Sequence, residues 1–280
     1  MPTHSRRPVL HALVCLSLSL WISTVSTPAR ATGPVGLVIV KEHGGGTASS
    51  AQGHVDRLVK VVAKENGWDH AIGKYLTRRD RAEVWIAEVT PHYGILSLAA
   101  FLAMRGPQGL EILGRAVVKR AGGHQYHLVS TRAKNLQGCK GKTMVSDHAD
   151  DPRFIDTVVA KGSFMLADFE LIRSRRPMQT VKKVLRGEAE CALIDDAQFS
   201  VLHKIDGGKN LKSVWKSDVL PSMVVVAFPA ASAREKQQFR SKLNAVCTGA
   251  GKAICKEVGI AQLESVASKE YRDVIRAYGG

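Results

Sequence analysis

Between Leu136 and Gln198 the chain carries two short apolar runs that limit what it can fold into. Lys142-Thr143-Met144-Val145 follows Gly138 and Gly141 and runs into Ser146-Asp147-His148. Cys191-Ala192-Leu193-Ile194 follows Gly187 and runs into Asp195-Asp196. Each reads as a short buried strand that stops in a polar loop, with a helix starting beyond it. Between them Phe154, Val158 and Val159 share one helical face, as do Val181, Val184 and Leu185. Strand, helix, connection, helix, strand is a parallel α/β unit. Ligands of such units collect at the carboxyl ends of the strands, where helix N-termini point free N–H groups outward.

The rest of the chain extends this pattern. Val35–Val40 reads as a first buried strand running into His43 and the glycines 44–46, and a helix carrying Val55, Leu58, Val59 and Val62 ends near Asn66-Gly67. Tyr75-Leu76-Thr77 reads as a short strand and Val84-Trp85-Ile86-Ala87 as a better one, delivering Thr90-Pro91-His92-Tyr93. Thr90 before Pro91 predicts an N-cap, and the run from Ile95 to Met104 a buried helix. Leu110–Ala116 reads as a further strand. From Ser232 onward the chain reads as helical, with Phe239, Leu243 and Val246 on one face and the apolar pattern resuming at Ile254, Val258 and Ile260.

The stretches LQGCKGKTMV and VLRGEAECALIDD resemble the second lobe of type II periplasmic solute-binding proteins. The branch is the phosphate/phosphonate-type substrate-binding components of ABC transporters. Leu136, Gly138, Gly141, Lys142, Gly187, Glu188 and Ala189 stand at the positions of its "dLkGk" turn and later "GeaDaal" motif. The resemblance implies a two-lobed α/β fold whose lobes are joined by two crossing strands, Tyr126–Ser130 and Met223–Phe228, that form a hinge. It divides the chain into a first part of lobe 1 (32–125), lobe 2 (126–222) and a return to lobe 1 (223–280). It also places ligand on the loop that ends in Tyr93, and implies an inner-membrane permease as partner and a monomeric binding protein. The family's phosphonate binders carry a Ser-Thr-Ser-Gly-like turn where this chain reads Ser146-Asp147-His148-Ala149-Asp150-Asp151-Pro152. Three acids at that helix start oppose a dianion by roughly 1 kcal/mol per close pair in a wet site. The expected ligand is therefore metal-bearing, cationic or zwitterionic.

Residues 1–31 read as a secretory signal peptide: Arg6 and Arg7, an apolar run from Val9 to about Val25, and Ala29-Arg30-Ala31 as the cleavage site. The chain carries a formal charge of +15. The leader holds Arg6, Arg7 and Arg30 and no acid, which leaves about +12 and suits anions, negative envelope surfaces or an acidic partner. A secreted chain without interleaved basic and aromatic residues is not expected to bind nucleic acid. Of five cysteines, Cys15 falls in the leader. The remaining four suggest two disulfides in an oxidising compartment. Cys247 and Cys255 flank a glycine-containing turn between helices, and Cys139 and Cys191 lie at the starts of strands that can be neighbours.

No G-x-S-x-G, H-E-x-x-H or C-x-x-C occurs, and no cysteine pairs with a plausible base, so neither enzyme activity nor a cofactor is expected. The inferred cleft loops contribute His43, Gly45, Thr47, Thr90, His92, Tyr93, Ser146, Asp147, His148, Asp195 and Asp196. Backbone N–H groups with Thr47, Thr90, Tyr93 and Ser146 would suit an oxyanion. His43, His92 and His148 with Asp147 or Asp195 would suit a transition metal if they converge, and otherwise lie scattered on loops. The function expected is the periplasmic substrate-binding component of an ABC-type transporter. The alternative is an interaction or sensor module of the same fold, with a degenerate or metal-binding cleft.

Overall fold

The computed structural model describes Met1 and residues 33–43, 48–118 and 122–279. Apart from Met1, the segment expected to be a signal peptide lies outside the described residues, as does the loop holding Gly45 and Thr47. The chain runs β1 (Val35–Val40), α1 (Ala48–Asn66), β2 (Ala71–Leu76), α2 (Arg79–Val89), β3 (Tyr93–Leu96), α3 (Leu98–Met104) and β4 (Glu111–Val118). It continues with β5 (Tyr126–Ser130), β6 (Thr143–Ser146), a π-helical segment (Phe154–Val159), β7 (Glu170–Arg173), α4 (Pro177–Leu185), β8 (Cys191–Asp195), α5 (Asp196–Ser200) and β9 (Lys212–Lys216). It ends with β10 (Met223–Ala227), α6 (Ala233–Val246), α7 (Gly251–Glu257), β11 (Ile260–Ser265) and α8 (Arg272–Tyr278).

The strands form two sheets, a mixed α/β arrangement of two lobes. The six-stranded sheet has the order β11-β4-β10-β3-β1-β2 and the five-stranded sheet β7-β6-β8-β5-β9. β1 runs parallel to β2 and β3, and β6 runs parallel to β7 and β8. β1 and β8 are apolar runs buried on both faces, as strands covered on either side must be. The chain leaves the first sheet after β4 and returns to it at β10, so it passes between the lobes twice. Backbone bonds tie the two passages together: Leu220 N–H donates to the His124 carbonyl at 2.7 Å and Ser217 N–H to the Tyr126 carbonyl at 2.9 Å. α8 then packs back against the π-helical segment of the second lobe, where Tyr278 lies 4.8 Å from the Arg153 guanidinium carbon.

The strand expected at Val84–Ala87 is part of helix α2. Ala82 and Ile86, four residues apart, are its buried positions, while Val84 is 53% exposed. Thr90 is accordingly a C-cap and not an N-cap. It adopts the left-handed conformation at φ 51°, and its N–H donates to the Ile86 carbonyl. The buried run from Ile95 to Met104 divides into the end of β3 and the helix α3. The pattern resuming at Ile260 belongs to strand β11, with Ile260 and Leu263 buried.

Cys139 pairs with Cys191 and Cys247 with Cys255, with Cα separations of 6.1 and 5.6 Å. The first joins the turn before β6 to the start of its neighbour β8; the second closes the α6–α7 turn. They span 52 and 8 residues. In the chain-entropy account these loops are worth about 4 and about 2.5 kcal/mol. Paired cysteine-to-serine variants should therefore lose more stability for Cys139/Cys191 than for Cys247/Cys255 in urea unfolding. The reverse order would show that loop closure is not what these bonds contribute.

Candidate functional site: a cleft between the lobes

Six parallel strands set the cleft. The segments that follow β1, β2 and β3 face those that follow β6, β7 and β8 across two cavities of about 1020 Å³ and about 40 Å³, which share Glu42, His43, Tyr126, His148 and Phe154 in their lining. Glu42 and His43 follow β1, Thr77 to Asp80 follow β2, and Ser97 to Ala99 follow β3. Asp147, His148, Asp150 and Asp151 follow β6, Arg173 to Pro177 end and follow β7, and Asp195 closes β8.

A buried polar network floors the second-lobe side. Ser146 donates its hydroxyl to the Leu193 carbonyl at 2.9 Å and accepts the His148 N–H at 3.0 Å. Gln198 holds the rest in place. Its Oε1 accepts from His148 Nε2 at 2.9 Å and from the Asp195 N–H at 3.0 Å, and its Nε2 donates to Asp147 Oδ1 at 3.0 Å and to the Pro177 carbonyl. Reversing the amide would set two donors against each other and an oxygen against two acceptors, so its orientation is determined, and with it the proton on His148 Nε2. Thr180 adds a 3.0 Å bond to the same Asp147 Oδ1. Asp147 Oδ2 has no partner and lies 3.9 Å from His148 Nε2; Asp195 Oδ2 lies 3.8 Å from it.

Asp195 and Asp196 divide their work. Asp195 caps α5 by accepting the Gln198 N–H at 2.8 Å. Asp196 Oδ1 accepts the N–H groups of His124 and Gln125 and so anchors the first passage between lobes. Gly122 lies against Asp195 at φ 74°, where an added Cβ would come within 2.0 Å of Oδ2; a side chain there is excluded twice over.

The two lobes also touch directly. Arg79 of α2 holds Glu42 with two bonds of 3.1 Å and reaches across to Asp151 Oδ2 at 2.9 Å; Tyr278 donates to the same oxygen at 3.0 Å. Asp151 Oδ1 meanwhile accepts the Phe154 N–H at 3.0 Å. The helix start expected to meet an anion is thus filled by the protein's own carboxylate. Burial raises the Glu42 carboxyl pKa against the pull of Arg79, and raises that of Asp195 against the pull of His148. Burial, with His148 nearby, pushes His43 down to about 3. The His43 and His148 rings are 4.7 Å apart.

Of the expected site residues, His43, Asp147, His148 and Asp195 meet at the cleft, with Ser146 beneath them. Thr90, His92 and Tyr93 do not reach it. Because 84–87 is helical, α2 carries these residues to the amino end of β3, the far edge of its sheet. There Thr90 borders a separate groove, and the His92 N–H donates to the Gly36 carbonyl. Tyr93 is buried between Trp68 and Phe239, with ring centroids at 5.3 and 4.1 Å. The trio His43, His92 and His148 is therefore not assembled, and among the described residues no group of three or more His, Cys, Asp or Glu could hold a metal ion. The arginines at positions 78, 79, 173, 175 and 176 were missed by sequence reasoning. Recognising β7 and the full length of β2 would have placed them at carboxyl ends.

No family model and no curated protein matches this sequence. Solved structures do match. A Xanthomonas citri protein bound to ATP aligns over 87% of this chain and 95% of its own, with TM-score 0.67 and 10% identity. A binding protein component of an ABC phosphonate transporter from Pseudomonas aeruginosa aligns over 87% and 85%, with TM-score 0.65 and 13% identity. PhnD1 from Prochlorococcus marinus, in complex with methylphosphonate, aligns over 87% and 96%, with TM-score 0.61 and 10% identity. The fold is that of the type II periplasmic binding proteins. Among the described residues no helix of this binding-protein fold is long and apolar enough to cross a membrane.

His43 supplies a pH test. The unfolded chain protonates a histidine near pH 6.5, the folded chain only near 3. Below about pH 6.5 the unfolded state binds more protons, so stability falls as the pH drops from there. Glu42 and Asp195, with raised folded-state pKa values, act in the opposite sense, so the difference between wild type and His43→Gln isolates the histidine. Wild type should lose stability relative to that variant from about pH 6.5 to about pH 4.5 in urea unfolding. Parallel curves would mean that the folded protein does not hold His43 neutral.

Proposed function

We propose that this chain is the substrate-binding component of an ABC-type transporter, capturing a small solute between its lobes and presenting it to an inner-membrane permease. The observation that carries the reading is the cleft itself. It lies at the carboxyl ends of parallel strands from two lobes and is lined by buried polar groups of the second lobe and by partly buried ones of the first. The fold is shared with proteins described as transporter binding components. Residues 1–31 act as a leader cleaved after Ala31, and two disulfides suit the oxidising periplasm to which it would send a monomeric protein. Lobe 1 comprises 32–125 and 223–280 and lobe 2 comprises 126–222, with the hinge at the two passages. Such a protein closes on its solute and carries out no chemistry of its own.

The Arg79–Asp151 ion pair is proposed to hold the closed form. Its side chains are 23% and 11% exposed, so it is screened less than a surface pair. Replacing Arg79 by Gln should enlarge the radius of gyration in small-angle scattering relative to wild type. A solute that restores the compact radius in the variant would identify closure with capture. An unchanged profile in the variant, together with no released solute from protein purified out of its own periplasm, would favour a rigid interaction or sensor module instead.

A further inference from the structure

Away from the cleft, three helices pack on the six-stranded sheet. α1, α6 and α7 bury Val55, Val59, Phe239, Leu243 and Cys255 in one shared core. They also touch one another. Gln238 of α6 donates to the Asn66 carbonyl at the end of α1, at 2.8 Å. Gly251 of α7 approaches α1 so closely that an added Cβ would lie 3.0 Å from the Val61 side chain. The Cys247–Cys255 bond closes the turn between α6 and α7, so all three helices present their outer sides from fixed positions.

Those outer sides carry exposed lysines: Lys60 and Lys64 on α1, Lys242 on α6, Lys252 and Lys256 on α7. None of the five has an ion-pair partner among the described residues, and none lines the cleft. Lys60 and Lys64 are four residues apart, as are Lys252 and Lys256, a spacing at which like charges repel on a helix. The acids of the same helices are mostly engaged elsewhere. Glu257 is held by Arg57 at 2.6 Å and by His54 at 3.2 Å, Glu235 caps α6 with Ser232, and Asp56 accepts from Gln52 at 2.7 Å. Glu65, half-buried, is the remaining acid of the three helices. A face of like charges that the fold does not neutralise attracts anions.

The kind of anion follows from what the face lacks. The large hydrophobic residues exposed among the described residues are Met1, Ile72, Val84, Met165, Met178 and Val219, and none of them is on α1, α6 or α7. Protein interfaces are built round an apolar or aromatic centre and are poor in lysine. Lysine is a compact point charge on a flexible stem, which suits a plane of mobile phosphate groups. From this charge pattern we infer that the outer sides of α1, α6 and α7 form a docking surface for an anionic phospholipid membrane, with Lys60, Lys64, Lys252 and Lys256 as its main contacts. The surface shares no residue with the cleft, so the inference does not depend on solute capture.

Co-sedimentation with lipid vesicles tests it, on protein isolated from its own periplasm. Mixed phosphatidylglycerol and phosphatidylcholine vesicles should bind the protein about tenfold or more tightly than phosphatidylcholine alone. The difference should disappear in about 1 M salt, where the Debye length is about 3 Å. Replacing Lys60, Lys64, Lys252 and Lys256 by Gln should weaken binding to the mixed vesicles by about tenfold or more. The same replacement of Lys204, Lys209, Lys212 and Lys216, around β9, lowers the net charge equally and should cost no more than about twofold. Equal losses in the two variants would reduce the effect to net charge and overturn the docking surface, as would equal binding to both kinds of vesicle. Lysine acetylation read by mass spectrometry gives an answer on the wild-type protein alone. Mixed vesicles should protect the four lysines of α1 and α7 and spare the set around β9; protection of both sets or of neither overturns the inference. Polyglutamate or inorganic polyphosphate that protects the four lysines where the vesicles do not would assign the face to an acidic protein or a soluble anion, and overturn the membrane.

Discussion

The polarity of six parallel strands is the constraint on which the cleft depends. A parallel strand must hand its chain to a crossover at its carboxyl end, and that end is where backbone groups run out of sheet partners. In each lobe three such ends stand side by side, so charged residues that could not be buried within a sheet gather in one gap. Glu42, Arg79, Asp147, Asp151, Arg176 and Asp195 all owe their places to this, although they are scattered over some 150 residues of sequence. The same polarity excludes Thr90 and His92, which precede β3, and Tyr93, which opens it.

Within the gap, charge is handled in two ways. Arg79, Glu42 and Asp151 neutralise one another across the lobes, and Asp151 also satisfies the helix start at Phe154. On the second lobe Gln198 distributes four hydrogen bonds among His148, Asp195, Asp147 and Pro177 and leaves a single carboxylate oxygen open. Asp147 Oδ2 is buried without a hydrogen-bond partner beside this network, an arrangement that a low-dielectric site makes costly. Helix α8 and the tied passages limit how the lobes can separate. Closure would therefore pivot on the segments around His124 and Leu220, which already bond each other.

Much of this was legible along the chain. The parallel β6–β8 unit, the buried strands β1 and β8, the amphipathic helix α1 and the Cys247–Cys255 pairing follow from apolar runs, glycine positions and cysteine spacing, while Cys139–Cys191 depended on β6 and β8 being neighbours. Asp147, His148 and Asp195 could be placed because each directly follows or closes a recognisable strand. The displacement of Thr90, His92 and Tyr93 has one source. A four-residue apolar run such as 84–87 fits a strand or a helix equally well, and one mistaken element sends the residues after it to the wrong end of the sheet.

What the sequence by itself determined is therefore local: where apolar periodicity forces strands and helices, where glycine permits a turn, and which strand ends carry polar loops. Only the tertiary structure decided which charges are spent and which remain open. Arg79 and Arg176 are indistinguishable as residues in a basic chain, yet one is consumed by Glu42 and Asp151 while the other is left at the mouth of the cleft. The two oxygens of Asp147 are chemically identical until Thr180 and Gln198 claim one of them. Pairing is a property of distance in three dimensions, and residues 33 and 51 positions apart in the chain have no separation in space until the fold supplies it.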